Sequence, residues 1–324
     1  MTDWRPTAGK EALRQRAEML ATLRGFFAER GVIEVETPLL CARGASDPHL
    51  DSFASRYTGP GAPSGRTVYL QTSPEFAMKR LVAAGSGPIY QICKAFRNGE
   101  AGRRHNPEFT LLEWYRPGLD YHGLMDEVDD LLQRVLQSPP AERLSYAAVF
   151  AHYLDLDPHT ATTAMLRDCA ASRQLHAPDG LQDDRDAWVS LLWTHLIEPR
   201  LAGGGRPPLF VFDYPVYQAM LARVREGSPP VAERFEVYVQ GMELANGFQE
   251  LTDSDQQRRR FEEDRRRRRD LGFADMVPDE RLLAALAQGL PLCSGVALGV
   301  DRLLLLKTGS WDLAEVLAFP FAHA

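Results

Sequence analysis

Two long strand-like runs, Ile89 to Arg97 and Glu108 to Arg116, are joined only by the polar loop Asn98 to Pro107. A third run, Leu292 to Gly299, is apolar enough for a buried strand and leads directly into a helix from Val300. Long strands spaced by irregular helical stretches, rather than regular strand–helix–strand units, predict an α+β fold with an antiparallel sheet flanked by helices.

The remaining elements fit that outline. Leu13, Ala17, Leu20, Leu23 and Phe27 recur at spacings of three and four, which predicts one apolar helical face over Lys10 to Arg30, stopped by Gly31. Val32 to Glu36 reads as a short strand closed by Thr37-Pro38, and the turn-formers from Thr58 to Gly65 read as a loop before a strand at Thr67 to Gln71. Ser73-Pro74-Glu75 combines a hydroxyl cap, a proline and an acid, the signature of a helix start. Gly123 to Arg200 is mostly helical, broken at Ser138-Pro-Pro140 and at Pro178-Asp-Gly180. Strand signals return at Leu209–Asp213 and Phe235–Met242, and Asp255 to Leu271 is helical. No repeat or domain boundary stands out, so residues 1–324 read as a single domain.

Composition narrows the function classes. With 37 Lys+Arg against 44 Asp+Glu the net charge is −7, which argues against a chain built to coat nucleic acid. An apolar share of 44% and a charged share of 25% are those of a folded, water-soluble chain. Cys41, Cys93, Cys169 and Cys293 have no metal-type or C-x-x-C spacing, so reduced thiols are expected. The first residues lack an apolar signal core and no run suits a membrane span, so a cytoplasmic protein with no membrane partner is expected.

Three segments carry the chemistry: Gly31-Val-Ile-Glu-Val-Glu-Thr-Pro38, Phe96-Arg97 through His105-Asn106-Pro-Glu-Phe109, and Gly295-Val-Ala297-Leu-Gly299-Val-Asp-Arg302. In this order they resemble motifs 1, 2 and 3 of the class II aminoacyl-tRNA synthetase catalytic domain, placed at about 31–38, 96–116 and 293–307 around a helical insertion at about 123–200. Activating a carboxylate with ATP sets an anion against a polyanion, and arginine answers with a planar fork of permanently charged donors. The resemblance implies that Arg97 bridges the substrate carboxylate and the α-phosphate, as a catalytic residue together with Arg302. It implies that Arg302 and His105 hold the γ-phosphate and that Phe109 stacks on adenine. Asn98, Gly99, Asn106, Leu244 and Gly299 join them as ATP-binding positions.

Acids at 236, 243 and 250 punctuate the run Phe235 to Glu250. On one continuous strand Glu236 and Glu243 would face oppositely, so they share a site only if a bulge or bend near Gly241 intervenes. The segment resembles that of class II lysyl-tRNA synthetases, which implies Mg²⁺ and ATP at Glu236 and Glu243. Glu250 would then meet a lysine side-chain ammonium beside Tyr115, and Glu75 of Ser73-Pro74-Glu75 the second amine, with Asn246 and Ala297 also lining the substrate pocket. A diamino ligand needs two anionic partners, because a buried ammonium left unpaired is costly.

Motif 1 begins at Gly31, and a helix already uses the residues before it. No anticodon-binding domain is therefore expected, and tRNA is an unexpected partner. With His105-Asn-Pro-Glu-Phe-Thr110, Leu112-Glu-Trp-Tyr-Arg-Pro117, Gly241-Met-Glu-Leu-Ala-Asn-Gly-Phe248 and Cys293 to Arg302, nearly the whole chain resembles the EpmA family, lysyl-tRNA synthetase paralogues that act as elongation factor P–(R)-β-lysine ligases. The family implies ATP-dependent activation of (R)-β-lysine, less well of α-lysine, and transfer to a lysine of translation elongation factor P, by a homodimer. Two positions depart from the general motifs: Gly99, where motif 2 commonly has an acid and Glu100 follows, and Ala297, where motif 3 has its middle glycine. A methyl group at 297 is expected to favour a β-amino isomer.

The run from Arg258 to Arg269 holds eight arginines, read either as a solvated helix with internal ion pairs or as a docking face for an acidic protein. His49, His122, His152 and His195 lack ligand spacing.

Overall fold

The computed structural model describes residues 4–48, 50–176, 178, 181, 183–202 and 206–324. His49, and Asp179 and Gly180 of the expected break near 178, lie outside the described residues. The chain forms two compact units, Met1–Asp120 with Glu250–Ala324, and Tyr121–Gln249.

In the first unit the helix Lys10–Glu29 buries Met19, Leu23, Phe26 and Phe27. Leu13, expected on that face, is exposed; the apolar stripe is rotated toward Met19 and Phe26, the side that meets the sheet. Phe27 stacks on Tyr90 at 4.3 Å and meets Trp114 edge-on at 5.3 Å. The sheet runs Ile33–Glu34, Ile89–Phe96, Glu108–Pro117, Cys293–Gly299. Its first pair is parallel and the other two are antiparallel. Strand alternation sends Tyr90 and Trp114 toward the helix and turns the odd-numbered residues to the opposite face. Register brings Gln91, Glu113 and Ala297 abreast there, and next to them Ile89, Tyr115 and Gly295. Buried Asp301 accepts from the Thr110 amide at 2.7 Å and from Arg16, tying the helix Val300–Thr308 to both sheet and first helix.

In the second unit Val231–Val239 and Met242–Gln249 form a hairpin, so the strand expected at Phe235–Met242 ends at Val239 and the chain bends near Gly241, where the sequence left that open. Gln240 and Gly241 both have positive φ, at 51° and 69°, the geometry of a tight two-residue hairpin turn. A side chain at Gly241 would also come within 2.7 Å of the Ala202 Cα. Leu209–Tyr214 runs antiparallel beside Val231–Val239, and Glu142–Ser145 parallel beside Leu209–Tyr214. An aromatic cluster fills this unit's core, with Tyr146 stacked on Trp193 at 4.6 Å and Phe150 and Tyr214 close by.

No described helix is long and apolar enough to cross a membrane. Cys169 and Cys293 are buried, Cys41 and Cys93 half-buried, and all four are free thiols.

Candidate active site

The odd-numbered face of the first unit's sheet gathers the expected amino-acid residues. Glu113, fully buried, accepts from the Tyr115 hydroxyl at 2.7 Å and from the Ser73 hydroxyl at 2.7 Å. Ser73 Oγ also accepts from the Glu75 amide at 3.0 Å, so one hydroxyl braces the start of the helix Glu75–Ala83 and anchors Glu113. The cap position itself is Pro74 and not the serine expected from the sequence. Pro74 stands between them at the helix start. Glu250 is buried beside Tyr115, and its Oε1 lies where a side chain on Gly295 would project. Burial pushes the Glu113 carboxyl up, with Glu75 adding repulsion, and burial raises Glu250 as well, against the pull of Lys79.

Lys79, which the sequence reading did not single out, occupies the middle of this cluster. It is 2% exposed, lies 2.6 Å from Glu75 Oε1 and ion-pairs with Glu250. Burial opposes its charge, yet Glu250 and Glu75 outweigh that cost and raise its pKa. Glu113, which the sequence analysis gave only within the run Leu112 to Pro117, belongs to the same group. The available signal was spacing: Glu75 and Lys79 are four apart on a helix, and Glu113 and Tyr115 two apart on a strand. Ala297 stands directly across from Glu113 in the strand register, on the face that bears the acids.

Farther along the same face lies the expected nucleotide end. Arg97 lies 5.0 Å over the Phe109 ring and 3.7 Å from Glu100, and its buried Nε has no hydrogen-bond partner. Gly99 has φ +84°, and a Cβ there would meet nothing within 4 Å, so the backbone turn rather than crowding calls for glycine. Asn98 is held by Asp51, through its amide at 2.9 Å and its side chain at 2.7 Å. Asn106 braces the loop, donating to Glu108 O at 2.6 Å and accepting from the Phe321 amide at 2.9 Å. Arg302 donates to His105 Nε2 at 2.7 Å, which requires that nitrogen to be unprotonated. Burial and the Arg302 charge lower the His105 pKa accordingly. Gly299 precedes Arg302 at the helix cap. A buried, unpartnered arginine nitrogen beside an aromatic ring fits a phosphate–base ligand.

The second unit holds Glu236, Glu243, Leu244 and Asn246. The hairpin turn and a register shift at Val237/Tyr238 pair Tyr238 with Glu243 and Glu236 with Asn246, leaving buried Leu244 as the extra residue. The expected conflict between positions 236 and 243 is thereby removed: both carboxylates lie on one face. Glu236, however, is committed. Its Oε2 accepts from Tyr214 at 2.7 Å and Tyr238 at 2.5 Å, and its Oε1 from Arg234, which also reaches Asn246 at 3.1 Å. A carboxylate so neutralised does not fit a divalent cation, and among the described residues no three His, Cys, Asp or Glu form a group that could hold a metal.

The arginine run is largely consumed within the first unit. Arg258 makes a two-pronged pair with Glu280 and Arg265 one with Asp275, while Arg267 bonds Glu263 at 3.1 Å. Arg268 is fully buried and donates to the carbonyls of Asp47, Leu50 and Ala274. Of the two readings the structure favours internal pairing.

The model of the tRNA synthetases class II (D, K and N) family matches residues 1–323. A protein of Pectobacterium atrosepticum named elongation factor P–(R)-beta-lysine ligase is 51% identical over 323 residues, covering 100% of this chain and 99% of its own length. Relatives bearing the same name in Pectobacterium carotovorum subsp. carotovorum and Salmonella paratyphi B are each 51% identical, covering 100% and 99% of this chain and 99% and 98% of theirs.

Proposed function

Since the chain belongs to the class II tRNA synthetases (D, K and N), we propose that it is an ATP-dependent ligase that activates (R)-β-lysine, and α-lysine less well, and transfers it to a lysine side chain of elongation factor P. The observation that carries this reading is the cluster of Glu75, Glu113 and Glu250 on the sheet face that also bears Arg97 and Phe109. Full-length relatives named for this ligation support the acceptor.

In the first step the amino-acid carboxylate oxygen attacks the α-phosphorus and the bond to pyrophosphate breaks, leaving an aminoacyl-adenylate. Arg97, with an unpaired buried Nε, would bind the carboxylate and α-phosphate as charge concentrates between them. Phe109 would stack on the base, and Arg302, oriented by neutral His105, would hold the far phosphates. Asn98, Gly99, Asn106 and Gly299 shape the loop and helix start around the nucleotide. Glu250 and Glu75 take the ligand's amines beside Tyr115, Ser73, Pro74 and Ala297. In the second step the acceptor nitrogen attacks the acyl carbon, AMP leaves, and the nitrogen gives up a proton. The acceptor must arrive as a neutral amine, far from its ordinary pKa of about 10.4.

ATP is the proposed co-substrate and Mg²⁺ its companion. With Glu236 committed, no step is assigned to the ion. A homodimer is also proposed: Ile33–Glu34 is an edge strand, and Ile33 and Leu40 are large apolar residues left exposed. A cytoplasmic location follows from a translation factor as acceptor.

Amino-acid-dependent pyrophosphate exchange with (R)-β-lysine and α-lysine tests the first step. Transfer to purified elongation factor P, with tRNA as the rival acceptor, tests the second. No exchange with any amino acid would overturn the ligase reading; charging of tRNA alone would overturn the acceptor.

A further inference from the structure

Lys79 is an unusual feature of a pocket meant for ammonium groups, since the protein has placed an ammonium of its own there. Its Nζ joins Glu75 Oε1, four residues back on the helix Glu75–Ala83, to Glu250 Oε2. Glu250 Oε1 is left buried with no hydrogen-bond partner, facing Gly295 and Tyr115. A lysine with 2% exposure contributes nothing by solvation, so its charge must act on its neighbours. Without it, three carboxylates would share one water-poor cluster, where like charges cannot all stay ionised. A protonated carboxyl is a weak partner for an incoming ammonium.

We propose that Lys79 is a positioning and specificity-determining residue: a built-in counter-ion that favours the charged form of Glu250 against the burial opposing it, and holds it turned so that its second oxygen is offered to the amine of a diamino acid. The inference rests on the function proposed above and assigns a role to a residue outside the ligand contacts. Lys79 sits behind the carboxylates and touches the ligand only through them. It also sets a limit on the ligand. A small cationic group at the end of a flexible chain can share Glu250 with a second ammonium, whereas a bulkier cation would have to displace Lys79 from its two partners.

The groups facing Lys79 are Glu75 on its own helix, Glu113 and Tyr115 on the Glu108–Pro117 strand, Glu250, and the Cys293 thiol, whose pKa burial and Glu250 push up. The carboxylates are the groups there that can change charge near neutral pH, because burial pushes Glu113 and Glu250 up from the ordinary carboxyl range. Removing the cation raises both further, because an opposite charge at this range lowers a carboxyl pKa by roughly 1–3 units.

Lys79→Gln keeps hydrogen-bond donors and removes the charge; Lys79→Arg keeps the charge. In pyrophosphate exchange, Lys79→Gln should raise KM for the diamino acid about tenfold or more, with KM for ATP within about twofold. The acid limb of kcat/KM for the diamino acid should move up by about one pH unit or more. Lys79→Arg should keep the wild-type acid limb, whatever its KM. A Lys79→Gln protein with unchanged amino-acid KM and acid limb overturns the proposal, as does an Arg variant whose limb shifts like that of Gln. Should the Gln protein not fold, the Arg variant alone decides, by the position of its limb. Wild-type protein that exchanges with no diamino acid would instead overturn the functional reading beneath it.

Discussion

Gly295→Ala is the sharpest perturbation the pocket offers. The new Cβ would stand 2.5 Å from Tyr115 Cε1 and 2.8 Å from Cδ1, and would press on Glu250 Oε1, whereas ordinary contact starts at 3.4 Å. The ring or the strand must therefore retreat by about 0.9 Å, the difference between 3.4 and 2.5 Å. Neither neighbour has room, since Tyr115 is 2% and Glu250 1% exposed. Overpacking of this kind costs about 1–3 kcal/mol, and a displacement near 1 Å at a reacting or binding group costs on the order of 100-fold in rate. The expected outcome is a melting temperature lower by several degrees and kcat/KM for the diamino acid down about 100-fold. Because Arg97 and Phe109 lie at the other end of the face, KM for ATP should stay within about twofold. Pyrophosphate exchange with each substrate varied in turn, together with thermal unfolding, reads all three. If the alanine protein is destabilised yet binds the diamino acid normally, the amine does not sit against Glu250, and the reasoning about this pocket fails.

The raised carboxyls give two pH signatures of opposite sign. A carboxyl whose pKa is higher folded than unfolded holds its proton more tightly in the native state. Stability from Glu113 is thus complete below about 4.5 and is lost as pH rises through about 7. Thermal unfolding without ligand should show wild type losing stability over that window relative to Glu113→Gln; parallel curves would refute the assignment. Amine binding instead needs the ionised carboxylates, so KM for the diamino acid should rise as pH falls through the same window. Ala297→Gly should shift the ratio of β- to α-lysine activation toward α-lysine by about tenfold, since one methylene in a pocket discriminates by about 1–3 kcal/mol; an unchanged ratio removes Ala297 from the explanation. Arg268→Met should cost on the order of 3 kcal/mol, because the carbonyls of Asp47, Leu50 and Ala274 lose a buried donor. Arg266→Glu, at an exposed position 3.7 Å from Glu263, should cost less than about 0.5 kcal/mol, and the contrast in denaturant unfolding separates the buried arginine from the solvated ones.

What the sequence by itself determined was local. Apolar spacing and punctuation placed the first helix, the Ile89–Phe96 and Glu108–Pro117 strands and the strand leading into Val300, because these follow from periods of 3.6 and 2. Small residues and arginines in ordered segments also marked Arg97, His105, Phe109 and Arg302, which the structure distributes over one sheet face, its loop and the helix Val300–Thr308. The hairpin of Val231–Val239 and Met242–Gln249 was not legible, since Gln240 is a weak turn signal and a bulge leaves no mark in alternation. Charge was the least legible quantity. Lys79 reads as an ordinary helix-surface lysine and Arg268 as one of eight similar arginines, yet both are buried. Burial and partner are set by residues far along the chain, Glu250 for Lys79 and the carbonyls of Asp47 and Leu50 for Arg268. The energy of a charge depends on its dielectric surroundings and opposite charges, and those exist only once the chain has folded.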